Sequence, residues 1–213
     1  MACSKEMEAP VNRLPRIKAT KGGTALSAAN LLTYARIAAV PAVAACLFGI
    51  AVLEGGLWLR WVALSIYIAA AVTDWLDGWV ARTYSQFSKL GRMLDPIADK
   101  LLVSSCLLML AADETIKGWA LWAAIIILCR EILVSGLREF LADLRVSVPV
   151  TNLAKWKTGM QLVAVGFLIA GPAGDQVLPH TTYIGITLLW VSAILTLYTG
   201  YDYFRAGSKH LVD

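Results

Sequence analysis

The reading turns on Asp74-Trp75-Leu76-Asp77-Gly78-Trp79-Val80-Ala81-Arg82 and, after a gap of eight residues, Gly91-Arg92-Met93-Leu94-Asp95-Pro96-Ile97-Ala98-Asp99. Asp74 and Asp77 stand three apart, and Asp95 and Asp99 four apart, so each pair shares one face of a helix. A short connection makes the two helices antiparallel neighbours, and four carboxylates then converge between their ends. Four uncompensated negative charges repel strongly away from bulk water, so cations are needed there. Oxygen-only ligands favour hard ions such as Mg²⁺, Mn²⁺ or Ca²⁺ over Zn²⁺, and no Cys or His joins the group. Four carboxylates suit two divalent ions, the arrangement that clamps a phosphoryl group during displacement. Gly78 and Ala81 keep the adjoining surface open for close approach, Gly91 permits a turn, and Pro96 suits the first turn of the second helix. The competing reading is four acids at a water interface, paired with Arg82, Arg92 and Lys100. It accounts for any one acid but poorly for four at these spacings.

Working outward, both acid pairs border long apolar runs. The chain has 213 residues, 58% apolar and 16% charged, with a mean hydropathy of +0.65. Soluble domains are less apolar and more charged, so a soluble enzyme and a disordered chain are both disfavoured. Six apolar segments follow one another: about Asn30–Leu53, Leu57–Val80, Asp95–Ala112, Lys117–Arg138, Lys157–Ala170 and Thr181–Phe204. Lipid leaves no backbone group unsatisfied, so these are helices. The expectation is an all-α polytopic membrane protein, a bundle of six transmembrane helices. Of 19 Lys and Arg, only Arg60 and Lys117 fall among the loops of one side. The positive-inside rule then puts both termini in the cytoplasm. Residues 1–28 read as a basic tail or interfacial segment able to rest on anionic lipid headgroups, 29–206 as the membrane domain and 207–213 as a short tail. The net charge of +4 gives no case for nucleic acid. Cys46, Cys106 and Cys129 lie in apolar runs and read as buried thiols.

The pattern D-x2-D-G-x2-A-R-x8-G-x3-D-x3-D from Asp74 to Asp99 resembles the signature of the CDP-alcohol phosphatidyltransferases, integral membrane enzymes of phospholipid synthesis. The resemblance extends over roughly Asn30 to Phe204. It implies CDP-diacylglycerol as donor and two divalent cations, Mg²⁺ or Mn²⁺, held by Asp74, Asp77, Asp95 and Asp99. Asp99 is also implied as the base for the acceptor's hydroxyl. Asp74, Gly78, Ala81, Arg82 and Gly91 would border the donor, and CMP would leave. Homodimers are usual in the family.

Asn30-x2-Thr33-x2-Arg36 resembles the start of several bacterial members. The three recur on one helix face, either as a wall of the nucleotide pocket or as an N-cap with a snorkelling arginine. Arg130 and Glu131 sit well inside the fourth run, where a lipid-facing charge is costly, so they face the bundle or a wet cavity. They read as a structural ion pair between helices or as part of a phosphate site with Arg138, Lys155, Lys157 and Thr158. This arrangement resembles the branch of the family whose acceptor is glycerol-3-phosphate, although Ala154 stands where that branch usually has Gly. Inositol phosphate and phosphatidylglycerol are the alternative acceptors. The implied location is the bacterial inner membrane, with the active site at the cytoplasmic face. A divalent-cation transporter is the remote alternative, because it would want acids at mid-membrane and no basic cluster beside them.

Overall fold

The computed structural model describes residues 28–53, 56–84, 89–143 and 152–208. These form six helices: α1 (Ala28–Ala51), α2 (Trp58–Tyr84), α3 (Lys89–Ala112), α4 (Ala120–Asp143), α5 (Asn152–Asp175) and α6 (Thr181–Ser208). Each corresponds to one apolar run of the sequence. α1 packs on α2 and α3, α5 on α6, α4 on α6, and α2 joins the two halves through α5.

Among the described residues three helices are long and apolar enough to cross a membrane: Thr33–Ala51, Ala120–Leu141 and Thr181–Arg205. α2 contributes a shorter apolar run, Trp58–Thr73. α3 and α5 carry Asp99, Lys100, Lys157 and Gln161 within their length, which interrupts their apolar runs. The outer surface is apolar too. Phe48, Ile68, Leu108, Ile132, Leu133, Ile194 and Phe204 all point outward, a pattern that suits hydrocarbon better than water. Inside, many contacts are made by small residues, among them Ala63, Ala70, Ala123, Ala164 and Ala193, interleaved with Leu47, Leu107, Ile127, Leu168 and Leu189. Small residues let helix backbones approach closely where burial against lipid supplies no driving force.

Several sequence expectations need adjustment. α3 begins at Lys89, so Gly91 lies inside a helix and Pro96 stands about two turns into it. Cys129 is exposed on the outer flank of α4, not buried. Arg60, read as a charge on the loops of one side, is buried together with Asp113, their side chains 3% and 2% exposed.

Their burial has a cause in α5. Pro172 has no N–H, so the carbonyl of Leu168 loses its helical partner. At the same point Gly171 leaves the helical region (φ 42°, ψ −128°). Arg60 Nη1 enters this break and donates to Leu168 O at 3.4 Å and Ile169 O at 3.2 Å. Its Nη2 donates to Asp113 Oδ2 at 2.5 Å and Thr115 Oγ1 at 2.9 Å, while Thr115 N donates to Asp113 Oδ1. A Cβ at Gly171 would stand 2.6 Å from Arg60 Nη1. The start of α2, the α3–α4 connection and the end of α5 are thereby tied together at one end of the bundle.

Candidate active site

The opposite end holds the start of α1, the end of α2 and the starts of α3 and α5. Asp74 and Asp77 belong to the last part of α2 and Asp95 to the first part of α3. Their side chains lie outside the described residues, as do those of Asn30, Gly78, Ala81, Arg82, Gly91 and Lys155. Asp99, the last acid of the pattern, is described. It lies one turn along α3 from Asp95, beside the fully buried Ala98 and Leu102. Among the described residues no three His, Cys, Asp or Glu side chains cluster as a metal site.

Asp99 faces a small cavity of about 30 Å³ between α3, α4 and α5, lined also by Lys100, Ser104, Glu131, Thr158 and Gln161. Asp99 and two of the residues read for the acceptor phosphate, Glu131 and Thr158, therefore open on one space. Thr33 and Arg36 are both buried, Arg36 to 1% exposure, so they share the inward face of α1, against α2 and α3.

On the α4 side Glu131 is the hub. It forms ion pairs with Arg130, Nη1 to Oε1 at 3.0 Å, and with Lys157. Lys157 is 4% exposed. Arg130 turns toward α6: its Nε donates to Thr196 O at 3.0 Å and its Nη2 to Thr199 Oγ1 at 3.1 Å. Thr199 can accept because its own hydroxyl is directed at Leu195 O, 2.9 Å away. Gly200 makes room for this approach, since a Cβ there would stand 3.1 Å from Arg130 Cγ. Arg130 and Glu131 thus form an ion pair that links α4, α5 and α6, and Glu131 also lines the cavity. Arg138, two turns further along α4, lies outside the network with its guanidinium 5.9 Å from the Tyr203 ring centre, within range of a cation–π contact.

Sequence reasoning missed Gln161, Ser104, Thr196, Thr199 and Gly200. Gln161 carried the clearest signal, a polar amide inside an apolar helix. The α6 residues carried almost none, because threonine and glycine are ordinary in membrane helices.

Comparison with known proteins gives the family. Residues 26–198 match the family model of the CDP-alcohol phosphatidyltransferases. A protein of Rickettsia bellii named CDP-diacylglycerol–glycerol-3-phosphate 3-phosphatidyltransferase is 41% identical over 181 residues, covering 85% of this chain and 95% of the relative. Proteins of the same name from Cereibacter sphaeroides and Shigella flexneri are 36% and 38% identical, covering 86% and 73% of this chain and 96% and 84% of their own. With a family match across most of its length, an all-helical fold and the eight fixed residues between Asp74 and Asp99, the chain belongs to the CDP-alcohol phosphatidyltransferase family.

Proposed function

We propose that this protein transfers the phosphatidyl group of CDP-diacylglycerol to glycerol-3-phosphate, forming phosphatidylglycerol phosphate and releasing CMP. The observation that carries the reading is the shared cavity: Asp99 from the acid pattern and Glu131 and Thr158 from the basic side line one space. A donor held by the acids and an acceptor held by the basic side would meet there.

The donor set fits hard divalent cations, because it offers carboxylate oxygens and no sulfur or imidazole. Asp74, Asp77, Asp95 and Asp99 would hold two such ions, Mg²⁺ or Mn²⁺. When bound, the ions supply charge neutralisation for the diphosphate and for departing CMP. The remaining steps fall to the chain itself. Gly78, Ala81, Arg82 and Gly91, with Asn30, Thr33 and Arg36 on α1, would border the donor. Asp99 would take the proton of the acceptor's primary hydroxyl, whose oxygen then attacks the phosphorus that bears diacylglycerol. Arg138, Lys155, Lys157 and Thr158 would hold the acceptor phosphate by charge-assisted hydrogen bonds. Arg130 already donates from each of its nitrogens to protein acceptors. Its part is to hold Glu131, and through it Lys157, in place.

In this reading all six helices cross the bilayer and both termini are cytoplasmic. The reacting groups lie at the cytoplasmic face of the bacterial inner membrane, where water brings the acceptor and the bilayer brings the lipid. A homodimer belongs to the same proposal.

The test is CMP release by the purified protein in detergent with CDP-diacylglycerol and Mg²⁺. Glycerol-3-phosphate, inositol phosphate, phosphatidylglycerol or no acceptor is added in turn. Release with glycerol-3-phosphate alone supports the reading; release with another acceptor moves the protein to a different branch of the family. Asp99→Asn is expected to lower turnover by about a hundredfold or more without loss of folded protein. Activity close to wild type would remove Asp99 from its role as base.

A further inference from the structure

Gln161 is 5% exposed, and it places a polar amide in the otherwise apolar run of α5 that follows Thr158. It lies on α5 four residues after Lys157 and three after Thr158, on the same helix face, and it lines the cavity with Asp99 and Glu131. Burying an amide carries a desolvation cost that only a hydrogen-bond partner offsets. Leucine or alanine would fill the position without that cost. Among the described residues the space beside the amide is small, about 30 Å³, enough for a water or one hydroxyl-bearing carbon.

The geometry points to Gln161 as the residue that reads the secondary hydroxyl of the acceptor. The inference rests on the proposed function and deepens it. Glycerol-3-phosphate presents three polar groups. The reacting primary hydroxyl belongs beside Asp99, and the phosphate belongs with the cations at the start of α5. The secondary hydroxyl between them is left over, and it both donates and accepts. A glutamine amide offers a donor and an acceptor in one plane and matches it without adding charge. The acceptor class is then a short polyol phosphate with a hydroxyl adjacent to the reacting hydroxymethyl group. Sites built to hydrogen-bond a substrate hydroxyl reject analogues that lack it, because the buried partner is left unpaired.

The experiment compares glycerol-3-phosphate with 3-hydroxypropyl phosphate, which keeps the primary hydroxyl and the phosphate but lacks the secondary hydroxyl. The full chain is assayed in detergent with CDP-diacylglycerol and Mg²⁺. Wild type is expected to prefer glycerol-3-phosphate in kcat/KM by at least about tenfold. In Gln161→Met, which nearly keeps the volume, the preference is expected to fall to about twofold or less. That loss falls on glycerol-3-phosphate alone, and the KM for CDP-diacylglycerol is unchanged. A preference retained in Gln161→Met overturns the inference. So does an equal loss with both acceptors, which would make Gln161 the holder of a structural water. Wild type alone also decides: equal use of the two acceptors refutes the inference even if the variant fails to fold. If wild type releases no CMP with glycerol-3-phosphate, the proposed function itself fails, an outcome visible before any variant is made.

Discussion

At Arg60 one guanidinium meets acceptors that the bundle would otherwise leave bare. The Leu168 carbonyl is short of a donor because Pro172 has none to give, and Asp113 is short of a cation because it is buried. Removing one member of such a pair leaves a charge in a dry site, which costs roughly 3–5 kcal/mol, whereas replacing both with apolar residues is often neutral. Asp113→Ala is therefore expected to lower the melting temperature in detergent markedly, and Arg60→Met with Asp113→Leu to recover most of it. A double variant no more stable than the single would sink this account. The Glu131 network follows the same logic with a different purpose. Its two cations come from α4 and α5, and its arginine is held by α6, so a single carboxylate sets the relation of three helices around the cavity.

Among the elements, α5 is the most constrained. Its break needs a positive φ, which glycine adopts freely and alanine does not, and it needs the space that a Cβ would take from Arg60. Gly171→Ala meets both obstacles and is expected to cost about 1–3 kcal/mol, read as a lower melting temperature with the helical circular dichroism retained. A shift within error would show that the break relaxes without cost. α6 begins under a different control. Asp175 accepts from Thr182 N at 3.0 Å and from Thr182 Oγ1 at 2.6 Å, so its carboxylate caps free donors at the helix start. The Thr182 hydroxyl and backbone N–H hold its pKa below the usual carboxylate value. A depressed folded-state pKa means that this contribution is present above the unfolded value, near about 4, and is lost as pH falls through the folded one. Acid titration is expected to destabilise wild type more than Asp175→Asn below about pH 4; parallel curves would deny the cap its role.

Over the whole molecule, six apolar runs sufficed to foresee six helices, because burial in lipid and backbone satisfaction leave little choice of structure. Eight residues at fixed spacing sufficed for the family. What stayed hidden depends on distance along the chain. Arg60 finds its carbonyl partners more than a hundred residues away, and local charge counting assigned it to a loop. Thr199 and Gly200 became meaningful only once α6 lay against α4. The start of α3 was missed because Lys89, Gly91 and Arg92 are polar, although the helix simply extends past its apolar part. Gln161 was visible as an oddity, but its cavity was not. The proposed orientation has its own check. In a cysteine-free background, Lys117→Cys, at an exposed position at the Arg60 end, is expected to react with a membrane-impermeant maleimide applied to intact spheroplasts. Asp202→Cys, exposed near the end of α6, is expected to react only after lysis. The reverse result would invert the protein.

The Arg60 tie also bears on the order in which a ribosome delivers this chain. Of the parts that the tie joins, α2 emerges first, and Asp113 follows as the first partner for its arginine. The carbonyls of Leu168 and Ile169 come last, 108 and 109 residues behind Arg60. Until then the early helices carry a cation with only part of its final shell. The second half of the chain thus completes the first, and a nascent protein halted before α5 would remain open to the proteases that survey the membrane.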